Sequence, residues 1–241
     1  MTIRHRYGVL AGLAVAATAM VTLLSSAGAS AAPSGTQGQD VSAHQGNVNW
    51  SAQWSAGSRF AYIKATEGTY YTNPYFAQQY NGSYNVGMIR GSYHFARPDT
   101  TTGAAQADYF IAHGGGWSAD GKTLPGALDI EYNPYGATCY GKSASGMVSW
   151  IASFINEYHA KTSRWAVIYT TTDWWSTCTG NYSGFWANSP LWIARYASSV
   201  GTLPSGASVY SFWQWTSSGT LAGDSDVWSG SLDRLKALAT G

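Results

Sequence analysis

The chain has 241 residues, of which 13 are Lys or Arg, 12 are Asp or Glu, and only 10% are charged. This near balance of charge excludes the basic surface that nucleic-acid binding demands. With 12 Trp and 17 Tyr, the surface suits uncharged ligands that carry hydroxyl groups, such as sugars, although many of these rings must also fill the core.

The first 32 residues have the layout of a secretory signal peptide. A basic start, MTIRHR, precedes a long apolar run, and small residues including Ala29 and Ala31 follow. We predict cleavage after Ala31 or Ala32 and a secreted, extracellular product of about 210 residues, the size of one domain. A membrane anchor is the alternative, because the apolar run is long enough to span a bilayer. Residues 33–38 are predicted to form a short flexible lead, and residues 39–241 the folded domain.

Strand and helix patterns alternate through most of this domain. Strands are predicted in QDVSAHQG, RFAYIKATEG, MIRGSYHFARP, LPGALDIEYN and WAVIYTTTDWW. Helices are predicted between them, in NVNWSAQWSAG, NPYFAQQYNGSYNVG, TTGAAQADYFIAHGGG and SASGMVSWIASFINEYHAKTS. Three short strands follow with only loops between them, in PLWIARYA, SVYSFWQWTSSG and GDSDVWSG, before a last helix in GSLDRLKALATG. The alternation favours a parallel sheet covered by helices. The pattern predicts an α/β barrel whose last third has lost its helices.

The chain has two cysteines, Cys139 and Cys178. In an exported chain such a pair predicts a disulfide. Both lie in polar stretches that are typical of loops. The bond would close a loop of about 40 residues and stabilise the fold by about 3–4 kcal/mol. A metal site would need further ligands that neither cysteine has nearby in the sequence, so we predict no metal.

The fourth predicted strand holds two acids, Asp129 and Glu131, two positions apart. Residues i and i+2 of a strand point to the same face, and the carboxyl ends of parallel barrel strands meet at the mouth of the barrel. Asp40 and Asp224 are predicted to reach the same mouth from other strands, with Asp226 as the second candidate beside Asp224.

Clustered acids raise one another's pKa, so that one can stay protonated as a general acid beside charged carboxylates. A general acid beside a charged carboxylate is the pair of groups that cleaves a glycosidic bond. The alternative is a structural acid network paired with Lys64 or Arg195, since such networks also shift pKa values.

Aromatic side chains near the other strand ends are candidates for a sugar-binding groove, although each could instead belong to the core. They are Tyr62, Tyr93, Tyr169, Trp192, Tyr196 and Trp213. No Gly-rich phosphate-binding loop stands between a strand and a helix, so we expect no cofactor.

Five ordered motifs carry a family resemblance: QDVSAHQGNVNW, YIKATEG, GSYHF, LDIEYN and GDSDVWSG. They resemble glycoside hydrolase family 25, the Chalaropsis-type lysozymes (N-acetylmuramidases), from about Gly38 to the end of the chain. The resemblance implies a (β/α)5(β)3 TIM-like barrel that hydrolyses the β-1,4 bond between N-acetylmuramic acid and N-acetylglucosamine in bacterial peptidoglycan. We expect a monomer whose partners are glycan strands.

The resemblance also implies roles for the acids. Glu131 is the proton donor, Asp129 stabilises the intermediate, and Asp40 and Asp224 complete the cluster. The anomeric configuration is expected to be retained, either through the substrate's own acetamido group or through direct attack by a carboxylate. Two other functions stay open at this point: a carbohydrate-binding barrel without catalysis, and a hydrolase of another amino-sugar polymer such as chitin.

Overall fold

Nine strands and six α-helices form in residues 32–241, the part of the chain that the computed structural model describes. The predicted signal peptide, apart from its last residue, lies outside these residues. Within the described range, no helix is both long enough and apolar enough to cross a membrane.

The strands and helices are labelled in chain order. The strands are β1 Thr36–Val41, β2 Phe60–Glu67, β3 Tyr71–Thr72, β4 Ile89–Phe95, β5 Ala127–Asp129, β6 Val167–Thr170, β7 Leu191–Ala194, β8 Phe212–Thr216 and β9 Asp224–Trp228. The α-helices are α1 Trp50–Ser55, α2 Phe76–Asn85, α3 Gly103–Phe110, α4 Ala144–Thr162, α5 Thr172–Thr179 and α6 Leu232–Thr240. A short 3₁₀ turn at Ala43–Gln45 follows β1, and a π-helical turn at Ile111–Gly115 extends α3.

Eight of the strands close into a barrel, because β1 pairs with both β2 and β9. From β1 through β2, β4, β5, β6 and β7 to β8 each neighbouring pair is parallel, whereas β9 runs antiparallel to β8 and to β1. The short strand β3 pairs with β2 as a hairpin outside the barrel. Helices α1 to α5 follow the first five barrel strands, and no α-helix lies between β7, β8 and β9 in residues 191–228. The predicted (β/α)5(β)3 architecture is therefore confirmed.

Two boundaries differ from the sequence prediction. The segment after β6 was predicted to continue as strand and loop, but it forms α5. The Thr171 side chain caps this helix by accepting from the Trp174 N–H, and Trp174 and Trp175 are buried on its inner face. The strand β1 begins at Thr36, so residues 36–38 of the predicted lead belong to the barrel.

The lower half of the barrel interior is filled with aromatic side chains. Tyr62 stacks on Trp192 with ring centroids 4.8 Å apart, and Phe212 meets Tyr62 edge-on at 5.4 Å. Gly91 makes room for the Tyr62 ring, since a Cβ at this position would collide with it. Leu235 of α6 packs against the same cluster and closes the bottom of the barrel. The apolar layer therefore ends below the mouth, where polar side chains replace it.

The cysteines Cys139 and Cys178 form the predicted disulfide, with Cα atoms 5.3 Å apart and a sequence separation of 39. Cys139 lies in the loop after β5, as predicted, whereas Cys178 lies on α5 rather than in a loop. The bond therefore ties the loop that follows the two central acids to the fifth barrel helix.

Candidate active site

Four of the predicted acids meet at one end of the barrel. Asp129 ends β5, Glu131 lies two residues further on, and Asp40 lies near the end of β1. Asp224 begins its strand instead of ending it, and it reaches the same end because β9 runs antiparallel. It pairs directly opposite Asp40. Gly223, with φ of 77°, allows this close approach, since a Cβ there would collide with the Asp40 carbonyl.

The acids line two adjoining cavities at the mouth, of about 100 and about 350 Å³. Both cavities are bounded by the following residues: Asp40, Tyr93, Asp129, Glu131 and Asp224. A cavity of about 400 Å³ lies elsewhere, around Trp215, but no acid lines it. The mouth therefore combines a concave surface with four clustered acids.

Glu131 has the protonation behaviour that a general acid needs. Partial burial raises its pKa from the ordinary 4.5 to about 7; the charge of Lys64 opposes this rise, and that of Asp224 adds to it. Burial also raises the pKa of Asp129 well above the ordinary 3.8, and the charge of Glu131 adds to the rise. One oxygen of Asp129, Oδ1, is buried and accepts no hydrogen bond from the described residues. A protonated Glu131 therefore stands beside a carboxyl group with an unused acceptor.

Gln214 of β8 connects the other two acids. Its Nε2 donates to Asp40 Oδ2 at 2.7 Å and to Asp224 Oδ2 at 3.1 Å. Its Oε1 accepts from the Tyr169 hydroxyl at 2.8 Å and from the Tyr196 hydroxyl at 3.1 Å. Both ends of the amide are thus committed, which fixes its orientation and holds the acids at a set separation.

The two acids bound to Gln214 also have raised pKa values. Burial, with the nearby charge of Asp224, raises the pKa of Asp40 to about 8. Burial raises the pKa of Asp224 as well, although the hydrogen bond from Tyr196 opposes the rise. Protonated carboxyl groups therefore persist in this cluster near neutral pH.

Four of the six predicted groove aromatics lie at the mouth. Tyr93, Tyr169 and Trp192 line the smaller cavity beneath the acids. Tyr196 is 57% exposed at the rim, and its hydroxyl lies 3.3 Å from Asp224 Oδ2. A ring exposed at the rim is available for stacking on a sugar, whereas the buried three shape the floor.

The structure does not bring Tyr62 and Trp213 to the mouth. Tyr62 is fully buried lower in the barrel, where its hydroxyl donates to the Pro125 carbonyl. Trp213 points to the outside of β8, packs with Leu191 and Ile193, and donates its indole N–H to the Arg195 carbonyl. Tyr62 is a core residue because it points into the barrel below the cavity, whereas Trp213 is one because the strand alternation turns it outward.

Lys64 pairs with Glu67 rather than with a cluster acid. Its Nζ lies 2.8 Å from Glu67 Oε2, and hydroxyl groups of Tyr70 and Tyr135 also donate to Glu67. Burial would raise the pKa of Glu67, but the hydrogen bond and charge of Lys64 outweigh it and the pKa is lowered. The structural ion-pair network that the sequence left open therefore exists at Glu67, beside the mouth, and Lys64 forms one wall of the larger cavity.

The sequence interpretation did not select Gln214 or Lys64 as site residues. The signal for Gln214 was present: Phe212 and Gln214 share a strand face, so an inward Phe212 requires an inward Gln214 and an outward Trp213. A comparable signal existed for Lys64, because it lies two residues after the inward Tyr62 on β2 and shares its face.

A barrel with a proton-bearing carboxyl beside other carboxyl groups at its mouth defines the class of the protein, a glycoside hydrolase. The model of glycosyl hydrolases family 25 matches residues 39–224. The chain belongs to that family.

Several relatives and solved structures are similar over most of the chain. The N,O-diacetylmuramidase of Chalaropsis sp is 53% identical over 209 residues, which cover 85% of this chain and 99% of that protein. Lysozyme M1 of Streptomyces globisporus is 53% identical over 211 residues, which cover 86% of this chain and 72% of that protein. The structure of a muramidase from Acremonium alcalophilum superposes with a TM-score of 0.84 at 57% identity, covering 85% of this chain and 99% of that one.

Proposed function

We propose that this protein is a lysozyme that hydrolyses the β-1,4 bond between N-acetylmuramic acid and N-acetylglucosamine in bacterial peptidoglycan. The observation that carries the proposal is the pKa of Glu131, raised to about 7 at the mouth, because a carboxyl group still protonated near neutral pH can donate to a glycosidic oxygen. The names of the similar proteins, lysozyme and N,O-diacetylmuramidase, support this choice of substrate.

In the proposed reaction, Glu131 gives its proton to the glycosidic oxygen as the bond from that oxygen to C1 of the muramic acid breaks. The carbonyl oxygen of the substrate's acetamido group bonds to C1, and the acetamido N–H donates to the carboxylate of Asp129, which lines both cavities at the mouth. Water then attacks C1 and passes a proton back to Glu131. Two inversions at C1 retain the configuration.

The remaining acids and aromatics support this chemistry. Asp40 and Asp224, tied together by Gln214, face the positive centre that develops at C1, and their ionised forms stabilise it. Tyr196 provides an exposed ring at the rim for a sugar face, and Tyr93, Tyr169 and Trp192 form the floor. No step requires a cofactor.

The decisive experiment digests purified bacterial walls with the protein and identifies the sugar at the new reducing ends. Muramic acid supports the proposal, and nuclear magnetic resonance of the first product reports whether its configuration is retained. Glucosamine at the new ends, or cleavage of chitin alone, would assign a different bond. Binding to walls without cleavage would make the protein a carbohydrate-binding barrel.

The variant Glu131→Gln tests the assigned proton donor. It keeps the side-chain shape and removes the acid, so we expect a loss of at least about a hundredfold in kcat, the contribution that general acid catalysis makes. Glu157→Gln is the matched control, because Glu157 lies on α4 and pairs with Lys161 away from the mouth. Near-normal activity in Glu131→Gln would show that another group donates the proton.

We further propose that residues 1–32 are a cleaved signal peptide and that the product is an extracellular monomer without nucleic-acid or membrane partners. The basic, apolar and small-residue order of the first residues supports export, as does the disulfide. N-terminal sequencing of protein from the culture medium tests the cleavage site.

A further inference from the structure

Asp226 is a buried acid that has no role in the reaction proposed above. It lies two residues after Asp224 on β9, faces the barrel interior one step below the mouth, and is 0% exposed. A buried carboxyl group without a compensating cation is costly. Among the described residues, the ion pairs do not include Asp226 or Asp40.

The hydrogen bonds of Asp226 locate its proton. Its Oδ1 accepts from the indole N–H of Trp192 at 2.9 Å. No N–H or hydroxyl group of the described residues donates to its Oδ2, which is also buried. Asp226 and Asp40 lie diagonally across the paired strands β9 and β1, because Asp226 is opposite Gly38 and Asp40 is opposite Asp224. Neighbouring buried carboxyl groups resist ionising together, so one of them carries a proton.

Asp40 has the better environment for a negative charge. Its Oδ2 already accepts from Gln214 Nε2 at 2.7 Å, and its side chain borders both cavities at the mouth. Asp226 has only the indole donor. An anion with two donors at the edge of a cavity is better stabilised than one with a single donor inside the barrel.

The groups that face Asp226 from the surrounding strands offer no other partner for the pair. Tyr62 of β2 is buried with a pKa raised well above 10 by burial, so it stays neutral. Trp192 of β7 and Gln214 of β8 do not titrate. Asp224 and Asp40 are acids, and burial and the charge of Asp40 raise the pKa of Asp226 well above the ordinary 3.8.

We propose that Asp226 keeps a proton on Oδ2 and donates it as a hydrogen bond to Asp40, so that, once the pair has lost a proton, its negative charge resides on Asp40 at the mouth. Asp226 is then a positioning residue: it contacts no substrate, and it acts by fixing the orientation and charge of Asp40. The inference rests on the proposed function only for its effect on catalysis, since the location of the proton can be measured without any substrate.

The first measurement is infrared difference spectroscopy of wild-type protein and Asp226→Asn across the alkaline range. Above pH 8, where Asp40 ionises, the wild type should retain the carbonyl stretch of one more protonated carboxyl group than Asp226→Asn. A wild-type spectrum without that band above pH 8, or an unchanged spectrum of the variant, would overturn the proposal.

The second measurement compares wall digestion by Asp226→Asn and Asp226→Leu. The asparagine amide reproduces both bonds, since its oxygen can accept from Trp192 and its NH₂ can donate to Asp40, so kcat should stay within about threefold. Leucine has the same branching at Cγ and no donor; kcat should fall at least tenfold, and the apparent pKa of Asp40 should rise. Equal losses in the two variants would show that Asp226 acts as an anion or only as packing.

Melting temperatures and circular dichroism show whether Asp226→Leu folds. If it does not, the infrared measurement and the activity of Asp226→Asn decide whether Asp226 donates to Asp40. If the wild-type protein does not cleave walls at all, the proposed function fails, while the infrared measurement still reports on the proton of Asp226.

Discussion

The substitution Gln214→Glu should make the stability of the protein strongly dependent on pH. Gln214 donates through Nε2 to Asp40 and Asp224 and accepts from two tyrosine hydroxyl groups. The substitution keeps the shape and both acceptor contacts, but it replaces the NH₂ group with an oxygen that faces two carboxyl groups. The new carboxyl group can remain there only if it is protonated, and even then it donates to one acid instead of two.

The expected magnitude has two parts. One lost hydrogen bond to a carboxylate costs about 1.5–3 kcal/mol at every pH. In addition, the folded variant holds a proton that the unfolded chain releases above about pH 4.3, so stability falls by about 1.36 kcal/mol for each further pH unit. Between pH 5 and pH 8 this adds about 4 kcal/mol of destabilisation. The free energy of unfolding falls as the pH rises, because the folded variant holds a proton that the unfolded chain has already released.

The assay is urea denaturation followed by tryptophan fluorescence at pH 5 and pH 8, with wild type and Gln78→Glu alongside. Gln78 is an exposed residue of α2 whose amide bonds only the backbone of Val48, so its replacement adds a carboxyl group outside the cluster. The reasoning fails if Gln214→Glu and Gln78→Glu lose the same free energy of unfolding between the two pH values.

Two further predictions concern Lys64 and the disulfide. Lys64 opposes the rise in the pKa of Glu131, so Lys64→Gln should shift the alkaline limb of the pH–activity profile to higher pH; an unchanged limb would contradict this assignment. Replacing Cys139 and Cys178 together with Ser opens a loop of 39 residues and should cost about 4 kcal/mol. In calorimetry the melting temperature should fall by roughly 8–16 °C, and a fall below about 4 °C would count against the loop-entropy argument.

The sequence predicted the barrel because its evidence was local. Strand and helix patterns alternate within short windows. The two-residue spacing of Asp129 and Glu131 is enough to predict that both side chains point to the same face of the strand. The helix α5 escaped detection because Thr170, Thr171 and Thr172 favour strands by propensity, and only the cap at Thr171 and the burial of the following tryptophans decide for a helix.

Strand direction could not be read from the sequence. Asp224 was expected at the mouth as the end of a parallel strand, yet it arrives there as the start of an antiparallel one. That reversal places Asp226 deeper in the barrel rather than further out. The direction of β9 depends on pairing with β1 across most of the chain length, which no window of sequence contains.

The antiparallel direction of β9 also determines on which side of the barrel a tag or solid support can be attached. Because β9 runs from the mouth to the bottom, α6 starts at the closed end of the barrel, and Gly241 lies beside Trp117 and Arg164 on that side. The strand β1 enters from the same side. A tether, tag or solid support joined before Thr36 or after Gly241 would therefore leave the mouth facing away from it, so an immobilised protein would keep its cleft open to long, insoluble glycan strands.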